Sequence, residues 1–400
     1  MTVVDGGARM YRAVTFLLQP TAGQQGSLGR LVEAQRELYN AALEERRGAW
    51  AWERRRVSRF EQFGQLAALR GLRPEVMEFG VCPARGSLTR LDRAFAGFFR
   101  RVKAGQAPGF PRFRAAGRFD SVEYPDSSCW AVDERAGRLY LQGVGHVRFR
   151  RHRPLPGAAK TLTVRREGRR FRVTVFCEVD RPEPKPKTGR QVGLDLGVAA
   201  LYATSEGALV DNPRWLARSA ERLAAAQAVL ARKQKGSARR RKAVERVGGI
   251  HRTVGHQRRD LHHQLSRQLV DGFDVICHED LPVAAMTRSA RGSLDAPGVN
   301  VAAKRGLNRS ILDAGWAQLL RFVTYKAEEA GRETIAVDAR HTSQTCAQCG
   351  HRHRDNRVSQ AVFRCRRCGH QAHADINAAR NILRAGLAHR SPREARERAS

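Results

Sequence analysis

Three isolated acids and two cysteine pairs are the residues of this chain whose type and placing could do chemistry. Asp195 sits inside the apolar run Val192–Leu196, between Gly193 and Gly197. Glu279 follows the apolar run DVICH, and Asp375 opens the segment DINAARNIL. A carboxylate in a strand bound for a core is costly unless it is paired or binds a metal. Each acid alone has an ordinary explanation: Asp195 as the partner of an arginine, Glu279 as a surface acid at a strand end, Asp375 as a helix N-cap. Together they form a set of hard oxygen donors, the kind that Mg2+ (or Mn2+) prefers. Two such ions about 3.5–4 Å apart activate a water and stabilise the leaving oxygen of a phosphodiester.

The cysteines divide into two groups. Cys346-x2-Cys349 and Cys365-x2-Cys368 are separated by fifteen residues, the spacing of a four-thiolate structural Zn2+ site. A disulfide framework and a redox pair are the alternatives, and neither suits a basic chain with no secretory signal. Gly350 and Gly369 each follow a pair, where a turn of positive φ is needed. Cys82, Cys129, Cys177 and Cys277 stand alone in apolar surroundings and read as packing residues.

The elements that must position these groups follow from periodicity. YRAVTFLL (11–18) reads as a strand, and helices are expected from about 27 to 47 and from 87 to 103. From about 105 to 180 the pattern is β, with a hairpin over Leu162–Val179 turning at Glu167-Gly168. GFPRFR (109–114) interleaves aromatics with arginine, a composition suited to stacking RNA bases. Arg181–Arg190, with three prolines in ten residues, reads as a linker. Beyond it, two or three strands over 191–210 precede a basic helical stretch from about 214 to 270, interrupted at Gly236 and Gly248-Gly249. A strand ending at Glu279, a loop over 288–306, a helix near 309–330 and the strand TIAVD lead to the cysteines. Ser310 and Asp313 carry a capping-box signature. The resulting order, strand–acid, strand–acid, helix–acid, is the layout of ribonuclease-H-like nucleases.

Composition narrows the partner. The 400 residues hold 73 Lys+Arg against 39 Asp+Glu, a formal net charge of +34. Between Arg214 and Asp260, 14 basic residues face three acids. Charge of this density is relieved by a polyphosphate, so nucleic acid is the expected partner. At 42% hydrophobic the chain can bury a real core, and no run approaches the ~18 apolar residues of a membrane span. A cytoplasmic, nucleoid-associated protein with no membrane partner is expected.

Several motifs resemble the TnpB family of transposon-encoded RNA-guided DNA endonucleases, relatives of the type V CRISPR effectors. They are GFPRF (109–113), GLDLGV (193–198), QRRDLHHQLS (257–266), HEDL (278–281), NRSILDAGW (308–316), TSQTCAQCG (342–350), FRCRRCG (363–369) and ADINAARNI (374–382). The resemblance implies that Asp195, Glu279 and Asp375 are RuvC-type catalytic residues binding Mg2+, and that Cys346, Cys349, Cys365 and Cys368 form a Zn2+ ribbon. It implies a guide RNA encoded by the transposable element and target double-stranded DNA as partners. It also implies a multidomain α+β/α/β fold. Residues 1–26 and 105–180 would be parts of a wedge-type β-barrel, with 27–104 a helical recognition lobe and 181–190 the linker. Residues 191–340 would be a RuvC-like domain with a basic helical insertion, 341–371 the ribbon, 372–385 the last RuvC segment and 386–400 a disordered tail. The alternatives are a nuclease-silent RNA-guided DNA-binding protein, and a transposase or accessory protein of DNA transposition.

Overall fold

The computed structural model describes residues 9–293, 295–338 and 340–397, with side chains described as far as Arg390. The chain divides into two compact units, Met1–Arg181 and Pro182–Ser400.

In the first unit a strand, β1 (Arg9–Gln19), is followed by a helical insert: α1 (Ala22–Glu53), the short α2 (Arg59–Gly64), α3 (Leu66–Leu72) and α4 (Pro74–Met77), and α5 (Val81–Lys103). A capping box starts α1: Thr21 accepts from the Gln24 N–H while the Gln24 side chain accepts from the Thr21 N–H. Six strands follow: β2 (Ser121–Tyr124), β3 (Trp130–Asp133), β4 (Arg138–Leu141), β5 (Gly145–Arg150), β6 (Ala158–Glu167) and β7 (Arg170–Asp180). They join β1 in one seven-stranded sheet ordered β2-β6-β7-β1-β5-β4-β3, antiparallel at every pair. The insert thus separates β1 in sequence from a sheet in which it is an inner strand. Alternation on β7 puts Phe171, Val173, Val175 and Cys177 into one core with Leu28, Leu31, Tyr39 and Leu88 from the helices.

The second unit opens with β8 (Gln191–Leu196), β9 (Ala200–Thr204) and β10 (Leu209–Asp211), then α6 (Trp215–Arg218), α7 (Ala220–Ala231) and α8 (Ala238–Gly272). Next come β11 (Val275–Glu279), α9 (Val283–Met286), α10 (Val301–Ala314), α11 (Trp316–Glu329) and β12 (Glu333–Val337). The hairpin of β13 (Val362–Arg364) and β14 (Gln371–His373) precedes α12 (Ala374–Glu397). The five-stranded sheet is ordered β10-β9-β8-β11-β12; β8–β9–β10 is antiparallel, whereas β11 runs parallel to β8 and β12. Val192, Leu194 and Ile276 pack beneath Leu319 and Val323 of α11 and Leu269 of α8. No described helix is long and apolar enough to cross a membrane.

Several expectations need correction. Gly248-Gly249 does not break α8, which runs unbroken through it; tertiary packing of Ala243, Ile250 and Val254 outweighs the roughly 1 kcal/mol that each glycine costs a helix. The helix expected near 309–330 is two, meeting at Gly315 with φ +69°, and α10 already begins at Val301 inside the expected loop. Ser310 is not a cap but lies inside α10 and donates to the Gly306 carbonyl. Half of the linker is not free: Lys185 N–H donates to the Ala330 carbonyl, and Thr188 and Gly189 donate to the Asp274 carboxylate, itself paired with buried Arg332. The tail from 386 continues α12 as far as Glu397, with Arg390 paired to Glu333; residues 398–400 lie outside the described residues.

Candidate active site and metal centre

Local sequence explains why the acids end up where they do. β8 and β11 are parallel, with Cys277 opposite Gly193 and His278 opposite Leu194, so the next residues in register are Asp195 and Glu279. α12 lies against β8 at Gly193. A Cβ at Gly193 would fall 2.1 Å from the Ala379 carbonyl oxygen and 2.7 Å from Leu383 N, so only glycine admits this approach. Asp375 lies one helical turn before Ala379, on the same side of α12.

Asp195 lies within electrostatic reach of Glu279 and Asp375, although among the described residues only the four cysteines gather closely enough to hold a metal ion as they stand. Asp195 is pushed up to about 8, first by burial and then by the negative charges of Glu279 and Asp375, with Arg357 opposing. Burial also raises Glu279, which is 7% exposed, against the stabilising hydroxyl of Thr342 at 2.9 Å. Neither Asp195 nor Glu279 has an ion pair among the described residues, so the arginine-partner explanation fails for Asp195. Asp375 is not the N-cap of α12 but lies within its first turn, where Arg357 donates to it at 2.9 Å. The same guanidinium group donates to the Gln360 carbonyl at 2.9 Å.

The four cysteines converge, their sulfurs all within 4.8 Å of one another. Cys346 and Cys368 sulfurs are 3.7 Å apart and Cys349 and Cys365 sulfurs 3.6 Å, far beyond a disulfide bond. A tetrahedral Zn2+ with Zn–S of about 2.3 Å needs sulfurs roughly 3.8 Å apart, so the set fits the ion. Two matched turns build it: Gly350 N–H closes onto the Cys346 carbonyl and Gly369 N–H onto that of Cys365, with φ of +73° and +75° at the glycines. Burial works to raise the Cys365 thiol, but the N–H groups of Arg367 and Cys368 donate to its sulfur and bring it down to about 6. The four isolated cysteines are free and buried, as packing residues should be.

Side chains outside the expected site residues hold the surrounding elements together. Asn377 accepts from the Ala347 N–H and donates to the Thr345 carbonyl; Asn381 donates to the carbonyls of Thr342 and Thr345. Spaced four apart on α12, they fasten the first cysteine turn and the Glu279-holding Thr342 to the helix that carries Asp375. Asp313 accepts from the N–H groups of Leu216 and Ala217 and from Arg258, and Trp316 Nε1 donates to the Gly197 carbonyl, two residues past Asp195. These four lie in motifs noted above, but their partners are 30 to 119 residues away, beyond local pattern. A groove of about 420 Å³ runs beside Val198, lined among others by Arg214, Arg309 and Gln360.

Comparison with known proteins bears on the family of the chain. Family models match residues 174–290 (Probable transposase), 316–382 (Cas12f1-like, TNB domain) and 10–55 (Helix-turn-helix domain). The last segment is here β1 followed by one continuous helix rather than two helices and a turn. InsQ of Escherichia coli (strain K12), named as a candidate RNA-guided DNA endonuclease, is 37% identical over 76% of this chain and 74% of its own. A Streptomyces pristinaespiralis protein given the same description is 34% identical over 94% of this chain and 90% of its own. In fold, the chain is similar to Cas12f1 from a complex with sgRNA and target DNA (TM-score 0.55, 13% identity, 89% of this chain and 82% of that one). With relatives this similar over nearly its whole length, the chain belongs to the TnpB family of transposon-associated RNA-guided DNA endonucleases.

Proposed function

We propose that Asp195, Glu279 and Asp375 are the catalytic residues of a RuvC-like centre that hydrolyses phosphodiester bonds of target DNA with Mg2+ (or Mn2+) held between them. The chain is an RNA-guided DNA endonuclease of a transposable element, with a guide RNA and target double-stranded DNA as partners. The observation that carries the site is the register: Asp195 and Glu279 are the next paired positions at the ends of parallel β8 and β11, and α12 passes over Gly193 with Asp375 one turn earlier. Asp195 is pushed up to about 8 by burial and then by the other two acids. Divalent cations fit such a donor set. The strand order β10-β9-β8-β11-β12, antiparallel on one side of β8 and parallel on the other, supports the ribonuclease-H-like assignment.

Bound Mg2+ would supply charge stabilisation for the attacking and leaving oxygens. The chain's own residues orient the ligands: Thr342 fixes Glu279, Arg357 holds Asp375, and the close passage of α12 over Gly193 sets the height of Asp375 above the sheet. Arg214 and Arg309, in the adjoining groove, offer charge to the phosphates of an entering strand. Cys346, Cys349, Cys365 and Cys368 would hold a structural Zn2+, which would brace the turn between Thr342 and α12. In this assignment residues 1–26 and 105–180 are the wedge-type barrel, 27–104 the recognition lobe, 191–340 with 372–385 the nuclease domain and 341–371 the ribbon.

The test is cleavage of a plasmid library by protein expressed with its flanking DNA, so that native RNA accompanies it. Guide-matched plasmids should be cut in Mg2+, and Asp195→Ala should lose cutting while keeping RNA and target binding. Normal cutting by that variant would overturn the assignment.

A further inference from the structure

The first unit contains a cavity that the nuclease reading leaves unused. It has a volume of about 780 Å³ and lies between the C-terminal part of α1, the α1–α2 connection and α5. Its floor is a ring cluster: Phe110 meets Phe95 and Phe98 edge-on, with centroids 5.5 and 5.2 Å away, and Phe98 meets Phe99 at 5.1 Å. Phe99 is 54% exposed with one side stacked toward Phe95, and Trp50, on α1 across from α5, is 48% exposed with Arg54 5.9 Å over its ring, so each ring keeps open surface. Cores do not leave rings in this state, and their exposure together in one concave site marks a binding surface.

Charge selects the occupant. Four arginines and a single acid, Asp92, line the cavity. Arg46 is the buried one: it bonds Gln62 and Asp92 and lies 5.3 Å over the Phe95 ring, yet its second Nη has no hydrogen-bond partner. Arg56, at the rim, is exposed and has no ion pair among the described residues. Open aromatic faces beside guanidinium groups are the chemistry that takes an unstacked base together with its phosphate.

We propose that this cavity binds one or two unpaired bases of the guide RNA, stacked on Phe99 and Trp50 with the backbone phosphate toward Arg56. RNA is the source because its loops and ends carry unpaired bases permanently, whereas target DNA is duplex until it is opened. The inference rests on the RNA partner given under the proposed function.

The test is a base-modification footprint of the RNA that co-purifies with the full chain, with wild type compared with Phe99→Leu and Phe99→Ala. RNA recovery itself reports on the partner, and the footprint reports on the cavity, so the two can fail separately. A few unpaired bases should be protected in wild type and become reactive in both variants, with RNA affinity about ten-fold weaker and an unchanged melting temperature. Phe99→Leu keeps the apolar bulk and removes the ring, so protection that survives in it overturns stacking. An identical footprint in all three proteins, protection shifting on DNA instead of RNA, or a change confined to self-association in sedimentation would each overturn the proposal.

Discussion

At the scale of single residues, the state of Asp195 makes a prediction that does not depend on catalysis. Its carboxyl is raised from 3.8 to about 8, so the folded chain holds this proton far more tightly than the unfolded one does. A group raised in this way adds stability below its unfolded value, and that contribution is lost as pH rises through about 8. Asp195→Asn has no proton to lose. In Mg2+-free buffer with the zinc retained, the variant's melting temperature should gain on wild type from pH 5 to pH 8 and level off above. Parallel melting curves across that range would mean that Asp195 is not buried among like charges. Thr342→Val probes the neighbouring acid. It removes the donor to Glu279 while keeping shape, and loss of a hydrogen bond that orients a metal ligand costs about 10–100-fold. Cleavage should fall by that amount at unchanged RNA binding; undiminished cleavage would remove Thr342 from the site.

At the scale of elements, the decisive contact is backbone on backbone. α12 passes so close over β8 that an added methyl group at Gly193 meets the helix's own carbonyl and amide, which no rotamer change can relieve. Gly193→Ala should therefore lift α12, move Asp375 and destabilise the unit by roughly 1–3 kcal/mol or more. Rates should fall even though every acid is present, and the loss should persist at Mg2+ concentrations that saturate wild type. A variant with normal rates and melting would show that α12 is not held at this height. Contacts of this kind explain what was legible in the sequence. Asp195, Glu279 and the cysteine pairs announce themselves because an acid in an apolar strand and a two-residue spacing are local signals. Thr342, Asn377 and Asn381 do not, because their meaning comes from partners that only the fold brings near. Asp313 shows how a local signal misleads. Its spacing from Ser310 suggested a cap for its own helix, yet its carboxylate takes the first free N–H groups of α6, nearly one hundred residues earlier.

At the scale of the whole molecule, charge dominates. A formal +34 repels itself in the free protein and attracts RNA in the complex, so added salt must act in opposite directions on the two. Raising salt should lift the melting temperature of RNA-free protein by screening that repulsion. The same change should weaken RNA binding, by about 10³–10⁵-fold between 50 and 200 mM if six to ten phosphates are contacted. α8 is the place to separate backbone charge from fold. Arg239 and Lys242 are exposed on its first turns, with no ion pair among the described residues, and the helix buries Ala243, Ile250 and Val254 on another side. Replacing both with glutamine should reduce the slope of log affinity against log salt by about 1.4, near 0.7 for each phosphate contact with a single strand. The melting temperature of the free protein should hold steady or rise, since two like charges have gone. An unchanged slope would exclude α8 from the RNA path and shift the electrostatic footprint to the arginines of the first unit.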